Sequence, residues 1–198
     1  PINSAVYALA LLPNGDLAAG GNFPTAGGTP ASHVARWNGT SWSAFGTGLD
    51  TQVQALAVMP NGDLVAGGGF SGFISRWNGS TWSVIGNGTN HWVRALRVLP
   101  NGDLIAGGLF TAANGVPANR LARWDGLAWS SLGTGVNNDV LALALLPNGD
   151  LLAGGNFSTA GGASASRIAR WNGAAWSALG TGVSLTLPRH FPASTPSP

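Results

Sequence analysis

The sequence contains no cysteine, no lysine and no glutamate, and a single tyrosine, Tyr7, in 198 residues. Each absence removes chemistry. Without cysteine there are no disulfides and no thiolate metal sites, and the redox compartment stays open. Without lysine and glutamate, few side chains remain that could move protons, attack a substrate or hold a metal. Charge is scarce altogether: only 8% of residues are charged, and the formal net charge is +2. All nine cations are Arg, so almost nothing titrates between His and Arg, and the pI near 10.5 reflects that gap rather than a basic surface. Two net charges make a poor field for phosphates, which excludes nucleic acid as a partner. No run of about 18 apolar residues occurs, so no membrane-spanning helix is written. The chain opens at Pro1 with neither an initiator Met nor a signal peptide, and reads as a mature or trimmed product.

What is abundant is glycine, with 31 residues, alongside 44% hydrophobic residues. That apolar content is too high and too regularly placed for a disordered chain. It is organised as an internal repeat. The turn Pro-Asn-Gly-Asp begins at Pro13, Pro60, Pro100 and Pro147, and the step Arg-Trp-Asn/Asp-Gly begins at Arg36, Arg76, Arg123 and Arg170. The second unit is shorter because one loop, between Phe70 and Trp77, has lost residues that the other units keep. A loop that can vanish without disturbing its flanks lies on the surface.

Each unit predicts four short strands. "VYALALL" and its copies form the first, and the Pro-Asn-Gly turn reverses the chain. "LAAGGNF" is the second, "HVARW" the third, and "SWSAFG" follows a second Asn-Gly turn as the fourth. No segment sustains a 3.6-residue apolar period, so no helix is expected. Four strands per unit of 40–47 residues is the period of a β-propeller blade. The fold class is therefore all-β: a propeller domain over 1–187 with four blades, at about 1–48, 49–88, 89–135 and 136–187. The blades either close into a four-blade ring or form half of an eight-blade ring made by two chains. Residues 188–198 form a Pro/Ser/Thr-rich tail.

The doublet Gly20-Gly21 followed by Trp42 after a tight turn resembles the kelch, or galactose-oxidase-like, propeller repeat. The pattern returns as Gly67-Gly68 with Trp82, Gly107-Gly108 with Trp129 and Gly154-Gly155 with Trp176. It is also similar to "AGGxF…IARWxGxxWxxLG" repeats of secreted bacterial and fungal surface proteins. The resemblance implies an extracellular, cell-surface or periplasmic location. The sequence departs from kelch repeats in lacking their Tyr before the Trp turn, and it cannot assemble the Cys–Tyr copper site of galactose oxidase.

The recurring tryptophans have two readings. One is packing between neighbouring blades, where each indole removes about 150–250 Å² from water. The other is four equivalent sugar-stacking pockets. Packing is favoured, because buried aromatics are commoner than stacking platforms. The repeated Arg and Asp read as structural pairing or turn capping, with pairing between blades one of the options. One carboxylate per turn is too few for the six to eight oxygens that calcium wants, so no metal site is expected.

Departures from the repeat carry the functional signal. His91, Trp92, Arg94 and Arg97 stand where the second unit has Thr51, Gln52, Gln54 and Ala57. Two guanidinium groups, an imidazole and a non-repeated indole suit an anion, a uronic acid or a protein carboxylate. These four are the candidate ligand-binding residues. His33, His91 and His190 fall at different places in the repeat, and no paired carboxylates outside the turns suit glycosidase chemistry. The sequence therefore predicts no catalytic residues and no cofactor. It predicts a secreted, non-catalytic module for binding or assembly, whose partner is a protein or surface glycan. A lectin-like propeller and a structural subunit of a homo-oligomer or larger assembly are the alternatives.

Overall fold

In each unit the Pro-Asn-Gly-Asp sequence reverses the chain by its own hydrogen bonds. The Gly15 amide donates to Leu12 O at 2.9 Å. Gly15 takes φ 87°, and the Asn14 amide side chain donates to Asp16 Oδ2 at 2.8 Å. The second turn is held by Asn38, whose Oδ1 accepts from the Thr40 and Ser41 amides at 3.0 and 2.8 Å. Short polar side chains that bond their own backbone two residues on are a general means of fixing turns. With both turns fixed, the strands between them have no choice but to pair antiparallel.

The computed structural model describes residues 1–183. Over them the chain forms four four-stranded antiparallel sheets. The first is built from Val6–Leu11, Leu17–Gly21, Val34–Trp37 and Trp42–Ala44. The second uses Val53–Val58, Leu64–Gly68, Ile74–Trp77 and Trp82–Val84. The third uses Val93–Val98, Leu104–Gly108, Leu121–Trp124 and Trp129–Ser131. The fourth uses Val140–Leu145, Leu151–Gly155, Ile168–Trp171 and Trp176–Ala178. Each expected strand is present, and no helix occurs among the described residues. The loops after the second strand hold small two-stranded sheets, such as Thr25–Ala26 with Thr29–Pro30, which the sequence did not announce. The shortened second unit lacks that pair. The tail from residue 188, His190 and the connector-like segment before it lie outside the described residues.

Sheets stand side by side, with the first strand of each packed on the first strand of the next. The second strand is buried from end to end in the second and third units, as a strand sandwiched between neighbouring sheets must be. Val53 inserts against Gly20 of the preceding blade, Val93 against Gly67 and Val140 against Gly107. A Cβ on Gly20 would lie 2.5 Å from the Val53 side chain, so that position accepts only glycine. The Gly doublet thus makes room for an aliphatic side chain of the next blade. Its second member, Gly21, admits the backbone of the blade's own connector at Ala5.

The second tryptophan of the second, third and fourth units ties blades together. Trp82 donates its indole N–H to Phe45 O at 2.9 Å, Trp129 to Ile85 O at 3.2 Å and Trp176 to Leu132 O at 2.8 Å. Each bond reaches back to the blade before. The quadruplicate motif is brickwork at this residue. The Arg–Asp repeats pair within a blade and not between blades: Arg36 with Asp16, Arg76 with Asp63 at 3.5 Å, Arg123 with Asp103 at 2.6 Å and Arg170 with Asp150 at 3.5 Å. These guanidinium groups are nearly half exposed, and such surface pairs contribute about 0–1 kcal/mol each.

Apolar clusters join the first blade to the second, the second to the third and the third to the fourth. No apolar cluster joins the fourth blade to the first among the described residues. The four blades form an arc.

Candidate functional site

The two turns of each unit lie at one end of its strands. The connectors between units and the variable loops lie at the other. Three repeat positions converge on this connector end, and all three vary. The first is the connector itself, where Asn90 Oδ1 accepts from the Thr111 and Ala112 amides at 2.8 and 3.0 Å and Asn137 holds Ser158 and Thr159 in the same way. Asp50 does this for Ser71, whose amide it accepts at 3.0 Å.

The second is a bulge in the first strand. Val93 faces Gly108 and Ala95 faces Gly107, leaving Arg94 as the extra residue. Tyr7, Gln54 and Leu141 occupy the same bulge in the other blades. A bulge re-aims the side chain it carries. The third is the residue just before the third strand, which is left-handed in every blade: His33 (φ 72°), Phe73 (φ 61°), Arg120 (φ 68°) and Arg167 (φ 65°). Left-handed backbone is uncommon outside glycine. Here it is enforced, because the amide of His33 bonds Phe23 O at 2.8 Å and its carbonyl receives the Gly21 amide at 3.0 Å, with the same pattern in each blade.

At the junction of the second, third and fourth blades these positions form a cluster. His91 stacks on Phe73, with ring centroids 6.1 Å apart and planes 7° from parallel. His91 Nδ1 accepts the Trp92 amide at 2.8 Å. The Trp92 ring seats against Gly69 of the preceding blade. The Arg94 guanidinium lies 5.3 Å from the Trp92 ring centroid and its Nε lies 3.0 Å from Asp139 Oδ2. Arg120 anchors its Nη1 on Leu109 O and Phe110 O at 2.9 and 3.2 Å. Asp139 is buried, and burial raises its carboxyl above the ordinary value; Arg94, Arg120 and His91 pull the other way. Asp139 Oδ1, Arg120 Nε and Arg94 Nε are buried and make no hydrogen bond among the described residues, so Arg94 meets Asp139 as an ion pair alone.

The structure brings together His91, Trp92 and Arg94 of the four expected residues. Arg97 stands apart. It is exposed on the first strand and lines a shallow groove of about 250 Å³ with Leu11, Val58 and Val98. Phe73, Arg120 and Asp139 belong to the cluster, and sequence reasoning did not place them there. Superposing the four units flags them, since Phe73 and Arg120 share the position of His33, and Asp139 that of Trp92. The half-buried Trp77, Trp124 and Trp171 line separate clefts of about 290–320 Å³ between blades, at the turn end. Among the described residues no three His, Cys, Asp or Glu side chains gather into a metal-holding group. No helix among them is long and apolar enough to cross a membrane.

A family model described as "Domain of unknown function (DUF5122) beta-propeller" matches residues 99–124 and 146–172. No curated protein matches the chain. Among solved structures, the WD40 β-propeller domain of Doa1 is similar over 92% of this chain, with 16% identity and a TM-score of 0.58. The virginiamycin B lyase of Staphylococcus aureus is similar over 90%, with 12% identity and a TM-score of 0.59. The extracellular domain of the one-component system BT4673 from B. thetaiotaomicron is similar over 85%, with 11% identity and a TM-score of 0.57. The chain spans 54% of the Doa1 domain, 58% of the lyase and 21% of the extracellular domain. Identities this low establish fold alone, and one neighbour being a lyase shows that the fold also carries catalysis. Together with the family match and the four sheets, they support a β-propeller repeat.

Proposed function

We propose that this chain is a non-catalytic propeller module, secreted or held at the cell surface, that binds a carboxylate-bearing segment of a protein partner. The connector end of its second, third and fourth blades is the contact surface, with His91, Trp92 and Arg94 at its centre and Arg97 on the neighbouring groove. One observation carries the reading: the buried carboxylate of Asp139 lies 3.0 Å from Arg94 Nε, and Arg120 and His91 are near enough to favour its charged form. Arg94 pairs with Asp139, while Arg120 has no ion-paired carboxylate among the described residues, which leaves one positive charge unspent. Arg120 Nε also lacks an acceptor. Beside them the Trp92 and Phe73–His91 rings supply apolar surface, the mixture that recognises an acidic side chain on a peptide. The shortage of Glu, Lys, Cys and Tyr supports a binding role over a catalytic one.

A lectin-like reading rests on a different observation, the three tryptophan-lined clefts at the turn end. Calorimetric titration with an oligo-aspartate peptide and with oligogalacturonate tests both. The peptide is expected to bind saturably and to weaken as salt rises. The double variant Arg94→Gln/Asp139→Asn, which removes both members of the ion pair, is expected to lose tenfold or more in affinity. Peptide binding no tighter than that of a neutral control, or unchanged in the double variant, would overturn the protein-partner reading. Saturable uronate binding that survives in the double variant would establish the clefts.

A further inference from the structure

The two ends of the arc are the two halves of the interface that its interior makes three times. At each internal junction a Val of the first strand, buried to 0% exposure, fills the space over the preceding blade's first doublet glycine: Val53 over Gly20, Val93 over Gly67, Val140 over Gly107. Leu56, Leu96 and Leu143 seat beside them. At the start of the arc the same two side chains, Val6 and Leu9, stand 41% and 60% exposed. At the other end the receiving position, Gly154, has no atom of a following blade within 4 Å of where its Cβ would point among the described residues.

The hydrogen-bonding groups match as well. Phe45, Ile85 and Leu132 each accept an indole N–H from the next blade, and they are 3–7% exposed. Leu179 occupies the same position at the far end and is 40% exposed. Trp42, the first blade's equivalent of the donating indoles, has no acceptor among the described residues.

We infer that a second copy of this chain covers these ends. Val6 and Leu9 of one copy enter over Gly154 of the other, and the Trp42 indole N–H donates to Leu179 O. The contact is head to tail, so two copies satisfy both ends and make a ring of eight blades. The occupant is argued from continuity: the surface each end presents is the one its own neighbouring blades already bind. This inference is independent of the carboxylate-binding patch, and either can fail alone.

Sedimentation equilibrium of the 198-residue chain tests it. The expected mass is that of two chains at micromolar concentration. Gly154→Val blocks the receiving end and Leu9→Asp spoils the entering end. Neither residue is packed against another blade among the described residues of one copy, so each variant is expected to fold, checked by circular dichroism, and to sediment as a single chain. Mixed in equal amounts, the two variants retain one intact junction and are expected to recover a two-chain species. A wild-type mass of one chain would overturn the inference. So would a two-chain species that persists in both single variants, or a mixture that stays monomeric.

Discussion

Compare the second and third blades with the outward faces of the first and fourth. The residues are nearly the same, yet their surroundings are opposite. Leu64, Leu104 and Leu151 are buried while Leu17, their counterpart in the first blade, is only half-buried. Val34, Ile74 and Leu121 are completely buried while Ile168 is half-buried. A repeat unit cannot cover both of its apolar faces by itself, and its neighbours supply what it lacks. Burial in this fold is a property of junctions, and the sequence of a blade does not contain it.

That contrast can be broken residue by residue, in a Leu9→Asp background that keeps the ends open. The largest effect is expected at Leu104. Leu104→Ala opens a cavity in a closed junction and should cost about 2–5 kcal/mol, read from urea denaturation. Leu17→Ala at the open end should cost clearly less. Glycines give the next contrast. A Cβ at Gly67 would sit 2.5 Å from Val93 Cγ1, whereas at Gly154 the nearest atom among the described residues is 3.9 Å away. Gly67→Ala should destabilise by about 1–3 kcal/mol through overpacking. Gly154→Ala should stay within about 0.5 kcal/mol of its parent, as surface substitutions do. Equal losses at the two sites would mean that both junctions are closed.

The smallest effect concerns the connectors, where Asp50 does in the second blade what Asn90 and Asn137 do in the third and fourth. The Ser71 hydroxyl holds the Asp50 carboxyl below its ordinary value, against a smaller opposing effect of burial. A depressed folded value means that the stabilisation is complete above the unfolded value and is lost as pH falls through the folded one. Below about pH 4, the Ser71 amide should therefore exchange faster with solvent relative to the Thr111 amide, which the non-titrating Asn90 holds. Parallel behaviour of the two amides in hydrogen exchange would show that the Asp50 bond adds nothing.

Much of this was legible in the sequence. The Asn-Gly turns and alternating apolar strands were, because the side chains that fix them act over two or three residues. The scaffold role of Trp82, Trp129 and Trp176 followed from their regular recurrence, although the acceptor of each indole did not. Other features were not legible. Arg36 and Asp16 recur equally strictly, and recurrence cannot say whether they meet within a blade or across blades. The Gly20-Gly21 doublet is legible as a motif, but that Gly20 receives Val53 of the next blade depends on the register of the first strands. The candidate site was half visible: His91, Trp92 and Arg94 are adjacent in sequence and break the repeat. Phe73, Arg120 and Asp139 come from other blades. Arg97 is close to Arg94 in the chain but projects elsewhere, because Arg94 occupies a bulge.

By itself the sequence determined the number of blades, the four strands within each and the turns that join them. Those choices rest on local backbone preferences and on the period-two alternation of apolar side chains. Only the tertiary structure decided which faces are covered, which glycine receives which valine, and that Arg94 meets the carboxylate of Asp139 from the next blade. These depend on placing residues from different repeats against each other. A chain that writes the same unit four times specifies what its junctions look like, while only the packed arrangement reveals which of them are filled.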